Sequence, residues 1–195
     1  MNTPTHMLIG AALFARRGAP RVTLAAFAGG LVPDLAMFAL IFWATRVAGM
    51  SQGEVFGSLF FSDDWQRIFA VDHSFFVWGT LFAVAARWRF AVLRAFAGGG
   101  LAHAAADFLT HRDDARQQLW PVSDWVFRSP VSYWDQAYYG NIVAPLELAL
   151  VLVLTGVLLL RLTRAWERAM TLLVATILIV PVILSGGFHG LHGLG

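Results

Sequence analysis

Residues 22–45 read VTLAAFAGGLVPDLAMFALIFWAT, and this stretch carries a single charged side chain, Asp34. It is long and apolar enough to cross the hydrocarbon core of a bilayer, which is about 30 Å thick. Two further stretches share this property, since residues 141–160 carry only Glu147 and residues 169–188 carry no charge. The sequence therefore predicts three membrane-spanning helices at these positions.

Three other apolar stretches are shorter or contain more polar residues, and they cover residues 4–14, 73–86 and 90–108. Together with the three spans they predict an all-α integral membrane helix bundle of five or six apolar segments, forming one domain over residues 1–195. The composition agrees, because 58% of residues are hydrophobic, 13% are charged and the mean hydropathy is +0.64. A soluble domain of this length would need more charge on its surface.

Two interruptions and a tail are expected along the chain. Residues 29–34, Gly-Gly-Leu-Val-Pro-Asp, predict a break in the second apolar segment, because proline removes a backbone donor and disfavours helix in the residue before it. Residues 111–140 are the one long polar stretch and are rich in Trp and Tyr, which predicts an aromatic-rich interfacial cap. Residues 186–195 are rich in glycine and predict a flexible tail, to which His189 and His192 are assigned.

The charged residues exclude some functions and indicate an orientation. The chain has no Cys, so a disulfide framework or a thiolate metal site is excluded, and its net charge of +2 is not gathered on a basic face as nucleic-acid binding requires. Arginines cluster at 16–21, 87–94 and 161–168, between consecutive apolar segments. By the positive-inside rule we expect a multi-pass protein of the inner (plasma) membrane with these clusters in the cytoplasm.

Ionisable side chains in the apolar segments predict a functional site. His103 and Asp107 lie four residues apart in LAHAAADFLTH, so a helix presents both on one face. Ionisable groups are costly inside a membrane and indicate function. The topology places them on the non-cytoplasmic side with His6 and His73, and Asp34 lies at the predicted break. These three imidazoles and two carboxylates suffice for one divalent metal ion with an open position, or for a looser two-metal site.

Each of these residues also has a structural interpretation. Asp34 could cap a helix that restarts at Leu35, His6 could be an ordinary interfacial residue, and His73 could form a hydrogen-bonded pair with Asp72. The whole set could be a buried His/Asp hydrogen-bond network in a non-catalytic membrane protein, or part of an ion or proton pathway. Ligands of one metal would converge on a point, whereas a relay would be strung across the bilayer.

The order of five short motifs resembles a family of membrane-bound metal-dependent hydrolases, known as inner-membrane proteins of unknown function. The motifs are Thr3-Pro-Thr-His6, Gly30-Leu-Val-Pro-Asp34, Asp72-His-Ser74, His103-Ala-Ala-Ala-Asp107 with Thr110, and Trp120-Pro121. The resemblance covers about residues 3–135. This chain departs from the family at Ala36, where a second acid is usual, and at Ile68, where a histidine is usual; His111 offers a further imidazole.

The resemblance implies a divalent metal, zinc in the first instance, with His6, Asp34, His73, His103 and Asp107 as candidate ligands. Asp34 and Asp107 could alternatively orient the imidazoles. Asp72 is then the spare group that could act as general base. The corresponding expected function is hydrolysis of an ester or phosphoester, with membrane lipid or a lipid-like or small molecule as the substrate and no nucleic acid as a partner.

Overall fold

The computed structural model describes residues 1–184, and within them every regular element is helical. The predicted tail at residues 186–195, with His189 and His192, lies outside the described residues. The α-helices are α1 (Thr3–Phe14), α2 (Pro20–Phe42), α3 (Gln52–Glu54), α4 (Asp63–Asp72), α5 (Phe75–Arg87), α6 (Ala91–Thr110), α7 (Gly140–Arg161) and α8 (Ala165–Leu184). Single wide helical turns follow α2 at Trp43–Val47 and α3 at Val55–Leu59, and a tight turn covers Gln136–Tyr138.

Four helical stretches among the described residues are long and apolar enough to cross a membrane: Pro20–Val47, Asp63–Arg87, Gly140–Arg161 and Ala165–Leu184. This confirms a helical architecture fit for a membrane. The predicted segments at residues 4–14 and 90–108 form α1 and α6, but neither is among these four. The predicted total of five or six apolar segments is therefore not confirmed as a number of spans.

The predicted break in the second segment is wrong. Helix α2 runs without interruption from Pro20 to Phe42, and Pro33 lies inside it. A proline removes one hydrogen bond of the helix, and close packing against neighbouring helices can compensate for that loss in a membrane protein. Asp34 is consequently not the cap of a new helix but a buried residue within α2.

The break occurs in the next span, between α4 and α5. His73 ends α4, and Ser74 begins α5 by accepting hydrogen bonds from the backbone N–H groups of Phe76 and Val77. The Ser74 hydroxyl also donates to the Trp120 carbonyl, 2.5 Å away, which ties the break to the polar segment. Irregular backbone at membrane depth is tolerated where it faces protein. This break brings the His73 imidazole into the bundle.

Glycines let three helix backbones meet. A Cβ atom on Gly29 would lie 2.0 Å from the Phe96 carbonyl oxygen in α6, and one on Gly30 would lie 2.4 Å from the His6 carbonyl oxygen in α1. Only glycine allows α2 to approach both neighbours this closely. The close approach gathers the polar residues of α1, α2 and α6 at one end of the bundle.

The polar segment before α7 folds back on α5 and α6. The Phe75 N–H donates to the Gln118 carbonyl, and the N–H groups of Ser129 and Tyr133 donate to the carbonyls of His111 and Thr110. Several of its polar side chains, including that of Gln118, are buried. The segment therefore packs over the polar end of the bundle, while its predicted place at the membrane interface stays a prediction.

Candidate metal centre

Asp34, His73, His103 and Asp107 converge, as a shared ligand site requires. One ligand atom from each of these buried residues lies within 4.8 Å of every other. His103 and Asp107 share a face of α6 as predicted, with Nε2 and Oδ2 3.1 Å apart. We call these four residues the His/Asp quartet. A divalent metal ion could be held at its centre.

Backbone carbonyls fix the orientation of both quartet imidazoles. His103 Nδ1 lies 2.8 Å from the Gly30 carbonyl oxygen, and His73 Nδ1 lies 3.0 Å from the Phe69 carbonyl oxygen. A carbonyl can only accept, so each Nδ1 carries the proton and a neutral ring presents its lone pair at Nε2. Both Nε2 atoms face the carboxylates, and His103 Nε2 is buried without a hydrogen-bond partner among residues 1–184.

Each quartet carboxylate uses one oxygen outside the quartet and one inside it. Asp34 Oδ2 accepts a hydrogen bond from the Thr3 hydroxyl at 2.5 Å. Asp107 Oδ1 lies 2.8 Å from His6 Nε2 and 2.9 Å from His111 Nε2, and the Met1 α-amino group is 3.1 Å away. Asp34 Oδ1 and Asp107 Oδ2 face the histidines.

The distances inside the quartet differ from those around it. Asp34 Oδ1 lies 3.8 Å from His73 Nε2 and 3.6 Å from His103 Nε2. Asp107 Oδ2 lies 3.4 Å from His73 Nε2 and 3.1 Å from His103 Nε2. A charge-assisted N–H···O hydrogen bond is about 2.7–2.9 Å long, as the His6 and His111 contacts are. Ligand atoms about 2.0–2.2 Å from a tetrahedral ion are about 3.3–3.6 Å apart. Three of the four inner distances exceed hydrogen-bond length and lie near the spacing of ligands, whereas His103 Nε2 and Asp107 Oδ2 are within hydrogen-bond reach.

His6, a predicted ligand, lies next to the quartet and contributes no atom to it. Its ring stacks on the His103 ring with centroids 3.7 Å apart, and its Nε2 contacts Asp107. In this position His6 orients a candidate ligand, as carboxylate–histidine pairs do at metal sites. The sequence predicted a ligand or an ordinary interfacial residue at His6, and it did not predict this orienting role.

Asp72, the predicted general base, is adjacent to His73 in sequence, but its carboxylate has no hydrogen bond or ion pair to the quartet within the described chain. Asp72 Oδ2 is buried without a partner among these residues. Its backbone carbonyl accepts from the Trp78 indole N–H at 2.6 Å. The role of Asp72 as a base stays a prediction without geometric support.

Glu147 holds the start of α1 beside the quartet. Its carboxylate accepts from the backbone N–H and side-chain amide of Asn2, and from the Thr5 hydroxyl. Asn2 is the residue before α1. The Thr3 hydroxyl donates a hydrogen bond to Asp34. The bonds from Asn2 and Thr5 to Glu147 hold the start of α1 beside the quartet.

A second polar group borders the quartet at the start of the polar segment. His111 Nδ1 lies 2.9 Å from Asp114 Oδ2, and the His111 ring lies 4.8 Å from the Tyr133 ring. Burial opposes ionisation of Asp114, but His111 and the Arg116 guanidinium outweigh it and hold the pKa of Asp114 below its usual range. Asp114 and Arg116 were not predicted, because charges in a polar loop ordinarily lie in solvent.

A cavity of about 920 Å³ opens beside these residues. Asp34, Asp107 and Asp114 line its polar end, and apolar side chains of α2 and α8, among them Phe38 and Leu178, line much of the rest. A small molecule in this cavity would contact both quartet carboxylates. The cavity lies in the size range of ligand-binding pockets.

Comparison with known proteins returns no match to a family model, a curated protein or a solved structure. The family resemblance of the motifs therefore stays a prediction, and the site has to be judged on its own chemistry.

Proposed function

We propose that this chain is a membrane-bound metal-dependent hydrolase that binds one divalent ion, zinc in the first instance, in the His/Asp quartet. Its substrate is an ester or phosphoester derived from a membrane lipid. The observation that carries the proposal is a pair of Nε2 atoms, on rings whose Nδ1 atoms contact backbone carbonyls, together with two inner carboxylate oxygens beside a large cavity. The inner (plasma) membrane and a site on the non-cytoplasmic side belong to the same proposal.

The donor set fits such an ion. Nitrogen and oxygen ligands of this kind suit zinc, and each histidine has the backbone hydrogen bond that commonly orients a metal-ligating ring. Two carboxylates facing one buried point need positive charge between them, because uncompensated buried charge is costly. Four ligand atoms are enough for one ion. Ala36 and Ile68 stand where the resembled family usually has a further acid and a further histidine, so one ion is favoured over two.

A divalent ion in the quartet would supply Lewis acid chemistry, activating water and stabilising negative charge on the ester. The protein's own residues position the reaction. Asp34 and Asp107 line the cavity, so a substrate can approach the quartet from that side. Asp114 also lines the cavity and has a buried oxygen, Oδ1, without a hydrogen-bond partner among residues 1–184. It is better placed than Asp72 to take the proton from the attacking water and return it to the leaving alkoxide.

Two observations count against the competing functions. A hydrogen-bond network would bring the inner N···O pairs to ordinary hydrogen-bond length, but three of the four are 3.4 Å or longer. A proton or ion pathway would distribute ionisable groups across the bilayer, whereas the quartet has its ligand atoms within 4.8 Å of one another. Metal-dependent hydrolysis agrees better with both.

Removing one quartet ligand should abolish hydrolysis. We expect the purified protein, loaded with zinc in detergent, to hydrolyse bis(p-nitrophenyl) phosphate or p-nitrophenyl butyrate, to lose the activity on chelation and to regain it with zinc. His73→Gln should reduce the rate by more than about 100-fold, because the metal loses a ligand. The exposed Asp124→Asn variant serves as the control and should retain the wild-type rate. Equal rates before and after chelation would contradict the proposal.

A further inference from the structure

Arg116 is a buried cation that forms no ion pair with the described residues. Its side chain packs against the Phe60 and Phe69 rings, with the guanidinium carbon 4.8 and 4.6 Å from their centroids. Nη2 contacts the Met37 sulfur at 3.7 Å, and Nε and Nη1 are buried without a hydrogen-bond partner in the described part of the chain. Arginine is almost never buried unless it is paired, so this guanidinium is incomplete without a further group.

The Arg116 side chain forms part of the wall of the cavity beside the quartet. Arg116 lines the cavity together with Asp34 and Asp107 at the polar end. Phe38 of α2 and Leu178 of α8 are among the apolar residues that line it elsewhere, and both helices are candidate spans. The cavity thus offers one charged end and an apolar body continuous with membrane-spanning helices, a shape that suits an amphiphile.

Charge decides what the polar end can bind. Several carboxylates line the cavity, those of Asp34 and Asp107 among them, and together they would repel an anion that approached Arg116. A divalent ion in the quartet offsets Asp34 and Asp107, so this step rests on the proposed function. An anionic group could then lie between the ion and Arg116. Arginine suits phosphate especially well, because its planar fork of N–H donors matches the phosphate oxygens.

We propose that Arg116 binds the phosphate group of a membrane lipid, whose acyl chains occupy the apolar part of the cavity. The guanidinium, whose Nε and Nη1 have no partner within residues 1–184, donates to the phosphate oxygens. Arg116 is thereby the residue that selects a phosphate-bearing lipid over a neutral one. The Phe60 and Phe69 rings hold the guanidinium in place by cation–π contact.

Lipid binding to the full chain in neutral detergent tests this assignment. The probes are dioleoyl phosphatidic acid, dioleoylglycerol and inorganic phosphate, each measured with zinc-loaded protein. We expect phosphatidic acid to bind at least about 10-fold more tightly than dioleoylglycerol, as expected for charge-assisted hydrogen bonds. Arg116→Gln should remove this preference, and Arg116→Lys should keep part of it. The exposed Arg128→Gln variant, in the same polar segment, should behave as wild type.

The outcomes separate this inference from the proposed function. Stoichiometric metal with equal affinity for both lipids would overturn the role of Arg116 and leave the metal site intact. Absence of metal would overturn the proposed function, whatever Arg116 does. Tighter binding of inorganic phosphate than of phosphatidic acid would overturn the lipid as the source of the phosphate. If Arg116→Gln and Arg116→Lys lower the unfolding temperature alike while each keeps the wild-type lipid preference, Arg116 is structural and the inference is wrong.

Discussion

Replacing Asp107 with asparagine is expected to abolish divalent metal binding. Asp107 contributes Oδ2 to the quartet, while Oδ1 contacts His6 and His111. Asparagine removes the charge and gives the position an amide N–H₂ group, which can only donate and cannot bind a metal. Loss of a residue that merely orients a ligand typically costs about 10- to 100-fold in metal affinity, so loss of this ligand should exceed about 100-fold. Metal titration of the purified variant, followed by elemental analysis, measures the effect.

Folding has to be followed alongside, because Asp107 is buried and has several partners. Asp124→Asn applies the same chemical change at an exposed position of the polar segment and should keep the full metal content. Circular dichroism should show the same helix content in both variants. An Asp107→Asn protein that is folded and still binds metal as the wild type does would show that the quartet is not the site.

Replacing Gly29 with alanine should lower the free energy of unfolding more than any of the other substitutions described. The new Cβ would lie 2.0 Å from the Phe96 carbonyl oxygen, and backbone atoms of α6 cannot yield without moving the helix. Overpacking usually costs about 1–3 kcal/mol, and a clash with backbone belongs at or above the upper end of that range. Separating α2 from α6 also disturbs the Gly30 carbonyl that orients His103, so metal affinity should fall too. Thermal unfolding in detergent and metal titration report the two effects.

Gly156 provides the matched control. It lies inside α7, and a Cβ there meets no atom within 4 Å, so Gly156→Ala should be neutral or slightly stabilising because alanine favours helix. If Gly29→Ala unfolds at the wild-type temperature, the close approach of α2 to α6 does not exist as described.

Apolar length and helical spacing predicted much of the architecture from the sequence. The apolar runs around Asp34 and Glu147 give helices that could span a membrane, because length and hydropathy follow from composition alone. The spacing of His103 and Asp107 predicts a shared helix face, and their side chains do meet in the quartet. Local pattern suffices for such features.

Features that depend on tertiary contacts could not be predicted in this way. Pro33 looked like a helix break, yet α2 continues through it, and the break lies at His73, where Ser74 starts a new helix. Glu147 lies well inside α7, and its contact with the start of α1 has no signal in the local sequence. Arg116 has no distinguishing signal in sequence, because its burial depends on how the polar segment folds back over the bundle.

X-ray absorption at the metal edge, on wild-type protein expressed with zinc, tests the metal centre most directly. We expect about one zinc per chain, bound only by nitrogen and oxygen at about 2.0–2.2 Å, with the scattering pattern of two imidazoles. His103→Ala should remove the bound metal, whereas Asp124→Asn should leave the spectrum unchanged. Wild-type protein without stoichiometric metal after metal-supplemented expression, or metal whose spectrum is unaffected by His103→Ala, would contradict the account.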